Sequence, residues 1–168
     1  MTSGRYNNLL KATCRAPIYD TVMFDLGAIV VAPTLGSIIP HWVLAIPKQE
    51  APNFSVWSGD NRTAPTACIT EIARLTGREP QSVIWFEHGA NSSGSAVGCG
   101  VDHAHIHILL APPFSFRQFK KAAKEAVVLP WEEGSGNPYH RIGREESYLV
   151  AGAGDEYLVA RSVERAGS

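Results

Sequence analysis

Three histidines with strand-like spacing are the residues of this chain best suited to chemistry. His103, His105 and His107 alternate with apolar residues in the segment His-Ala-His-Ile-His-Ile-Leu-Leu. Because side chains alternate between the two faces of a strand, this spacing predicts three imidazoles on one face and apolar side chains on the other. A neutral imidazole, with an ordinary pKa of about 6.5, is a nucleophile and, on a neighbouring residue, a proton donor near neutral pH. The segment therefore predicts a functional site.

Hydrophobic periodicity predicts the elements that would position this row. Apolar residues at helical spacing predict two main helices, at residues 63–77 and 115–127. Alternating segments predict strands at residues 19–25, 28–32, 82–89, 148–151 and 157–160. The last two strands form a hairpin, and residues 131–144 are predicted to be a loop. Together these elements predict an α+β fold, with an antiparallel β-sheet, two main helices and an added C-terminal β-hairpin.

Length and composition favour one compact domain. A chain of 168 residues, 45% of them hydrophobic, can bury most of its unfolded surface without metals or disulfides. We expect an N-terminal arm at residues 1–17 and a single domain at residues 18–168. Within that domain we expect a core at about residues 20–129 and a C-terminal extension at residues 130–168.

Cysteine usage and charge restrict the compartment and the partners. Cys14, Cys68 and Cys99 are odd in number and lack C-x-x-C spacing, which argues against a disulfide framework and a cysteine zinc site. The start of the chain lacks the apolar run of a signal peptide, and no apolar stretch approaches a membrane span. A net charge of −1 offers no electrostatic footprint for a long nucleic acid. We therefore expect a cytoplasmic protein that acts on a small molecule, with no membrane or long nucleic-acid partner.

A loop of small residues leads directly into the histidine row. Residues 90–100 include Asn91, Gly98, Cys99 and Gly100. Glycines let the backbone approach a ligand closely and turn its N–H groups toward an anion. The same composition is also that of an ordinary flexible hairpin, but its position beside the imidazoles favours phosphate binding.

The histidine segment resembles the signature of the histidine triad (HIT) superfamily, which it matches at every position from 103 to 110. A second block is similar to an earlier strand of the family, where His41 begins the segment His-Trp-Val-Leu-Ala-Ile-Pro-Lys and supplies a fourth histidine. The two blocks stand in the family's order, and the resemblance covers about residues 20–129. It implies the HIT-like fold of a divergent Hint- or Fhit-like member, with an edge-to-edge homodimer as the assembly.

The resemblance also implies roles for individual residues. His105 would attack the α-phosphorus of a nucleotide and form a covalent nucleotidyl-histidine, while His107 would contact the phosphate and assist the leaving group. His103 and His41 would orient the nucleophile through hydrogen bonds. The residues implied in nucleotide binding are Gly98, Cys99, Gly100, Glu87, Asn91 and Thr34. This scheme requires no cofactor and no metal.

The chain departs from the family's pattern at three places, and these departures leave alternatives open. Residues 98–100 read Gly-Cys-Gly where Gly-Gln-Ser or Gly-Gln-Thr is common, and residues 87–89 read Glu-His-Gly in place of Asn-x-Gly. Residues 33–34 are Pro-Thr near the position of a ribose-binding acidic residue. The first alternative is a HIT-fold protein that binds nucleotide without hydrolysis or is recruited to another small-molecule reaction. A distant third is a zinc-binding protein, since alternating histidines can also gather zinc.

Overall fold

The computed structural model describes residues 21–35, 37–59, 61–91 and 103–162, which form one antiparallel sheet with helices on both faces. The strands are β1 (Phe24–Asp25), β2 (Ile29–Pro33), β3 (Trp42–Pro47), β4 (Ile84–Gly89), β5 (Ile106–Leu109), β6 (Trp131–Ser135), β7 (Ser147–Ala153) and β8 (Glu156–Ser162). The helices are α1 (Phe54–Trp57), α2 (Ala64–Leu75) and α3 (Phe116–Ala126), with short 3-10 helices at Pro80–Ser82 and Pro138–Arg141. The strand order across the sheet is β1-β2-β3-β5-β4-β7-β8-β6. The predicted α+β class with an antiparallel sheet is confirmed.

The two main helices have the end signals that their sequences predict. Ser115 and Gln118 form a capping box at the start of α3, in which each side chain bonds the backbone N–H of the other. α2 ends just before Gly77, whose φ of 65° is the left-handed conformation that glycine adopts readily after a helix. Local sequence therefore sets where α3 begins and where α2 ends.

The sheet is covered differently on its two faces. α1 and α2 pack on one face, which we call the α2 face, around a large core that includes Val43, Trp85 and Ile106. α3 packs on the opposite face, which we call the α3 face, against side chains that include Phe86 and Leu158. Directly paired residues of neighbouring strands share a face, so the pairs His107–Leu44 and His107–Phe86 place His107 on the α3 face.

The strand through the histidine row is shorter than the sequence predicts. β5 begins only at Ile106, so His103 and His105 precede the ladder. The backbone N–H of Ala104 donates to the carbonyl of Ala51, and the carbonyl of His103 accepts from the His105 ring. These bonds replace the sheet pairing that a longer strand would make, so the prediction of one continuous strand is wrong.

The region predicted as a loop at residues 131–144 is also different. It contains β6 and the 3-10 helix Pro138–Arg141. β6 has little alternation of its own, but it pairs with β8 along its whole length, and Lys120 of α3 forms ion pairs with Glu133 of β6 and Glu156 of β8. Tertiary pairing therefore makes a strand from a segment whose composition indicates a loop.

The predicted C-terminal hairpin is present, as β7 and β8, and it is inserted in the sheet between β4 and the edge strand β6. β7 pairs with β4 over five residues and with β8 over seven. The residues assigned to an extension therefore complete the sheet on one side of β4.

The remaining expectations concern the N-terminal arm, the cysteines, membrane spans and the assembly. The predicted arm at residues 1–17, and Cys14 and Cys99, lie outside the described residues. Cys68 is buried in α2, where burial raises the pKa of its thiol to about 12. Within the described ranges, no helix is long and apolar enough to cross a membrane. The homodimer stays a prediction.

Candidate active site

The ring of His105 is held in one tautomer. Its Nδ1 lies 2.8 Å from the main-chain carbonyl oxygen of His103. A carbonyl oxygen can only accept, so in the neutral ring Nδ1 carries the proton and Nε2 carries the lone pair. The residue is 7% exposed, and burial is the main cause that lowers the pKa of its ring below the ordinary value. A neutral imidazole with an unprotonated Nε2 is the form that can attack an electrophile.

The ring of His107 is held in the opposite tautomer. Its Nδ1 lies 3.1 Å from Nε1 of Trp42, and an indole N–H can only donate, so the proton of the neutral ring is on Nε2. The ring stacks on Phe86 with a centroid distance of 4.7 Å. Burial, followed by the nearby rings of His105 and His88, lowers the pKa of His107 to about 3. At neutral pH His107 therefore presents an N–H donor and is not a cationic acid.

These two rings form the centre of the candidate site. The His105 and His107 rings meet edge to face, with centroids 4.9 Å apart. Because their tautomers are opposite, the pair offers an acceptor nitrogen and a donor N–H within reach of one small group. Such a pair can combine nucleophilic attack with hydrogen bonding to developing negative charge.

Two residues of the site were missed by the sequence reasoning. Trp42 donates to His107, and His88 on β4 has its ring 6.5 Å from the His107 ring. Both lie on the α3 face, Trp42 because it pairs with Leu109 and His88 because it is two residues from Phe86. The register between strands, which the sequence alone does not show, brings Trp42 and His88 beside His107.

The other two predicted histidines occupy separate positions. His103 is 1% exposed, and its Nε2 lies 2.8 Å from the carbonyl oxygen of Pro47. Its orienting contact with His105 is made by its backbone carbonyl. His41 precedes β3 with a φ of 60° and is exposed, and its carbonyl accepts from Leu110, beyond the far end of β5. Among the contacts of the described residues, none joins the His41 ring to the other three imidazoles, so its orienting role stays a prediction.

Glu87 lies on the α2 face, away from the His105–His107 pair. It is 1% exposed. Its carboxyl group accepts from the backbone N–H of Phe54 and from the hydroxyls of Tyr139 and Tyr148, at 2.7 to 2.8 Å. Burial outweighs these bonds and raises the pKa of Glu87 to about 7. The structure therefore brings Glu87 into a buried structural cluster and not to the imidazole pair.

The remaining predicted nucleotide-binding residues lie at the ends of strands or outside the described residues. Asn91 donates to the carbonyl of Glu145 and, through its backbone, to Ser147, which fixes the exit of β4. Thr34 follows β2, and its backbone N–H donates to the carbonyl of Trp42. Gly98, Cys99 and Gly100 lie outside the described residues, so their role stays a prediction. In the part of the chain that is described, no group of three or more His, Cys, Asp or Glu side chains is placed to hold a metal ion.

Comparison with solved structures finds this fold in other proteins. The yeast Ap4A phosphorylase matches with a TM-score of 0.53 at 13% identity, over 92% of this chain and 64% of its own. A HIT family hydrolase from Clostridium thermocellum matches with a TM-score of 0.43 at 19% identity, over 56% of this chain and 82% of its own. No protein-family model and no curated protein matches the sequence. At these identities the likeness shows the fold alone, and the match to the phosphorylase carries it.

Proposed function

Because the chain has the fold of histidine triad proteins that its motif indicated, we propose that it is a nucleotide hydrolase or nucleotidyl transferase. The reaction is at an α-phosphate and passes through a covalent nucleotidyl-histidine. The observation that carries this proposal is the pair of opposite tautomers, in which Nε2 of His105 holds a lone pair beside the Nε2–H of His107. No cofactor is needed for this chemistry.

In the first step Nε2 of His105 attacks the α-phosphorus. The nitrogen–phosphorus bond forms while the bond to the leaving group breaks, and the leaving group departs with the bonding electrons. The Nδ1 proton stays hydrogen-bonded to the carbonyl of His103, which stabilises the positive charge that the ring acquires. A buried ring with a lowered pKa is neutral, and therefore nucleophilic, at neutral pH.

In the second step water attacks the same phosphorus. The nitrogen–phosphorus bond breaks, its electrons return to Nε2 of His105, and a nucleoside monophosphate is released, while the proton of the water passes to solvent. If another acceptor takes the place of water, the same intermediate makes the protein a transferase. Backbone N–H groups of Gly98, Cys99 and Gly100 would hold the nonbridging oxygens.

His107 acts in both steps as a hydrogen-bond donor. Its Nε2–H reaches toward an oxygen of the phosphoryl group or of the leaving group. Giving this proton away would leave an imidazolate, which is far too basic at neutral pH, so the leaving group takes any proton it needs from solvent. This role is narrower than the assistance that the family resemblance implies.

The covalent intermediate is the first testable prediction. Adenosine phosphoramidate, a dinucleoside polyphosphate and a nucleotide sugar are mixed with the protein, and the reaction is quenched in acid for mass spectrometry. We expect a nucleotidyl adduct on the peptide that contains His105. The variant His105→Ala removes the attacking nitrogen, so the adduct should vanish and turnover should fall by about a thousandfold or more.

The matched control for this experiment is His140→Ala, which removes an exposed histidine from the 3-10 helix and should keep full activity. Circular dichroism checks that both variants fold. Nucleotide binding without any adduct or turnover would support the binding-only alternative. Turnover that needs stoichiometric zinc and stops in a chelator would support the zinc alternative.

A further inference from the structure

A pocket next to the imidazole pair is not used by the chemistry described above. It lies on the α3 face between α3 and the strands β4, β7 and β8, it has a volume of about 110 Å³, and it is partly open to solvent. We call it the α3 pocket. Its lining includes Phe86, Phe119, Trp131, Leu149 and Leu158, so most of its surface is apolar.

The α3 pocket and the imidazole pair share a boundary. Phe86, which lines the pocket, stacks on the His107 ring at 4.7 Å. His88, which also lines the pocket, has its ring 6.5 Å from the His107 ring. Phe86 and His88 therefore belong both to the wall of the pocket and to the surroundings of the His107 ring, so the pocket adjoins the space where a phosphorus beside His107 would lie.

The described lining of the pocket offers no charge to neutralise a chain of phosphates. Among the described residues that line the pocket, none is a Lys or an Arg. Two cations of α3 are engaged by glutamates, since Lys120 pairs with Glu133 and Glu156, and Lys124 pairs with Glu133. Binding an unpaired anion in such a site is costly, whereas an apolar group gains from burial.

The shape of the pocket is fixed by its own contacts. The indole N–H of Trp131 donates to the carbonyl of Val127 at 2.9 Å, which holds the Trp131 ring in place. Phe119 packs on Phe86 with a centroid distance of 5.9 Å. A preformed apolar pocket of this kind, beside histidines with displaced pKa values, is typical of a small-molecule site.

We propose that the α3 pocket is the leaving-group subsite and binds a neutral aromatic or branched aliphatic group attached to the phosphorus. This inference rests on the proposed function. It assigns the substrates to nucleotide conjugates with an apolar leaving group and disfavours dinucleoside polyphosphates, whose leaving group is a charged phosphate chain.

The second prediction tests this subsite with two substrates that differ only in the leaving group. One is a nucleoside phosphoramidate of phenethylamine and the other is that of methylamine, two alkylamines of similar basicity. Ala123 lines the pocket, so Ala123→Leu fills it with a residue that α3 accommodates well. We expect kcat/KM to fall about tenfold or more for the phenethylamide and to change less than about twofold for the methylamide.

Ala122→Leu is the matched control, because Ala122 is exposed on the same helix and does not line the pocket. It should leave both substrates unchanged. An equal loss for both substrates in Ala123→Leu, or no loss for either, would overturn the proposal.

A binding measurement keeps this inference separate from the proposed function. Indole is titrated into the protein, and the methyl resonances of Val127 and Leu149 are followed by NMR. Saturable shifts in the wild type and in Ala122→Leu, lost in Ala123→Leu, support an apolar subsite even if no nucleotide is cleaved. The absence of shifts overturns the subsite. Pocket resonances that shift on dilution without indole would assign the pocket to a second copy of the chain and would also overturn it.

Discussion

At the scale of the residue, the chemistry depends on which nitrogen of each ring carries a proton. The carbonyl of His103 and the indole N–H of Trp42 impose opposite tautomers on His105 and His107. Neither partner is a titratable group, so the assignment does not change with pH near neutrality. The two rings are therefore distinguished by their neighbours, although their sequence contexts are almost identical.

The third prediction concerns Trp42. Trp42→Phe keeps an aromatic ring against His107 but removes the N–H, so the neutral His107 ring should distribute between its two tautomers. The ¹⁵N chemical shifts of the ring report this directly. A hydrogen bond contributes about 1 kcal/mol, so we expect kcat to fall about fivefold. Trp57→Phe, on the α2 face, is the control and should change neither quantity. A His107 ring that keeps its proton on Nε2 in Trp42→Phe would show that another contact sets the tautomer.

The sequence predicted the histidines of the site but not what holds them. The alternation of His103, His105 and His107 identified the segment that contains β5. The segment that begins at His41 was also predicted to be a strand, and it forms β3. The contacts of Trp42 and His88 depend on the register between strands, which alternation within one strand does not determine. The placement of Glu87 on the opposite face follows from the same register.

At the scale of the elements, Glu87 joins four segments of the fold. It lies on β4 and accepts from Phe54 in α1, Tyr139 in the 3-10 helix and Tyr148 in β7. The hydroxyl of Tyr148 also accepts from the backbone of Ser55. These bonds connect the strand beside the imidazole pair to the elements of the α2 face.

The fourth prediction uses the raised pKa of Glu87. Between pH 4.5 and about 7 the unfolded chain has lost the Glu87 proton while the folded protein still holds it, so raising the pH favours unfolding. This shift corresponds to about 3 kcal/mol of unfolding free energy, which is present at low pH and lost by neutral pH. Glu87→Gln removes the titration.

Denaturant unfolding at pH 5 and pH 7.5 measures this effect. We expect the wild type to lose more stability between these pH values than Glu87→Gln does. Glu79→Gln, at an exposed glutamate, should behave like the wild type. If Glu87→Gln kept the full pH dependence of the wild type, Glu87 would be ionised throughout this range in the folded protein.

The prediction of β6 as a loop is wrong because contacts with other elements, and not the local sequence, make this segment a strand. The segment Trp-Glu-Glu-Gly-Ser has neither alternation nor strong strand formers. It becomes a strand because β8 offers an open edge and because cations on α3 and β8 pair with its glutamates. Helices α2 and α3, whose apolar spacing and end residues are local signals, were predicted almost to the residue.

At the scale of the whole molecule, the histidine pair lies near the middle of the sheet. β5 carries His107 and is flanked by β3 and β4, while β7, β8 and β6 continue the sheet beyond β4. The α3 pocket is built from the predicted core and from the predicted extension. The core supplies β4 and α3, and the extension supplies Trp131, Leu149 and Leu158. The part of the chain expected to be an extension therefore contributes to both the fold and the proposed subsite.

The fifth prediction tests whether residues 20–129, the predicted core of the single domain, can fold without the predicted extension. A chain that ends at Leu129 loses β7, so the edge of β4 is exposed and Glu87 loses the hydroxyls of Tyr139 and Tyr148. The truncation also removes buried apolar side chains such as Val150 and Leu158 from the two faces of the sheet, which costs several kcal/mol against a total stability of about 5–15 kcal/mol. We expect this chain to be unfolded, with collapsed dispersion in its ¹H–¹⁵N spectrum. A chain that ends at Ser162 keeps every contact described above and should give the dispersed spectrum of the full protein. Cooperative thermal unfolding of the shorter chain would instead establish residues 20–129 as the core and residues 130–162 as a true addition to it.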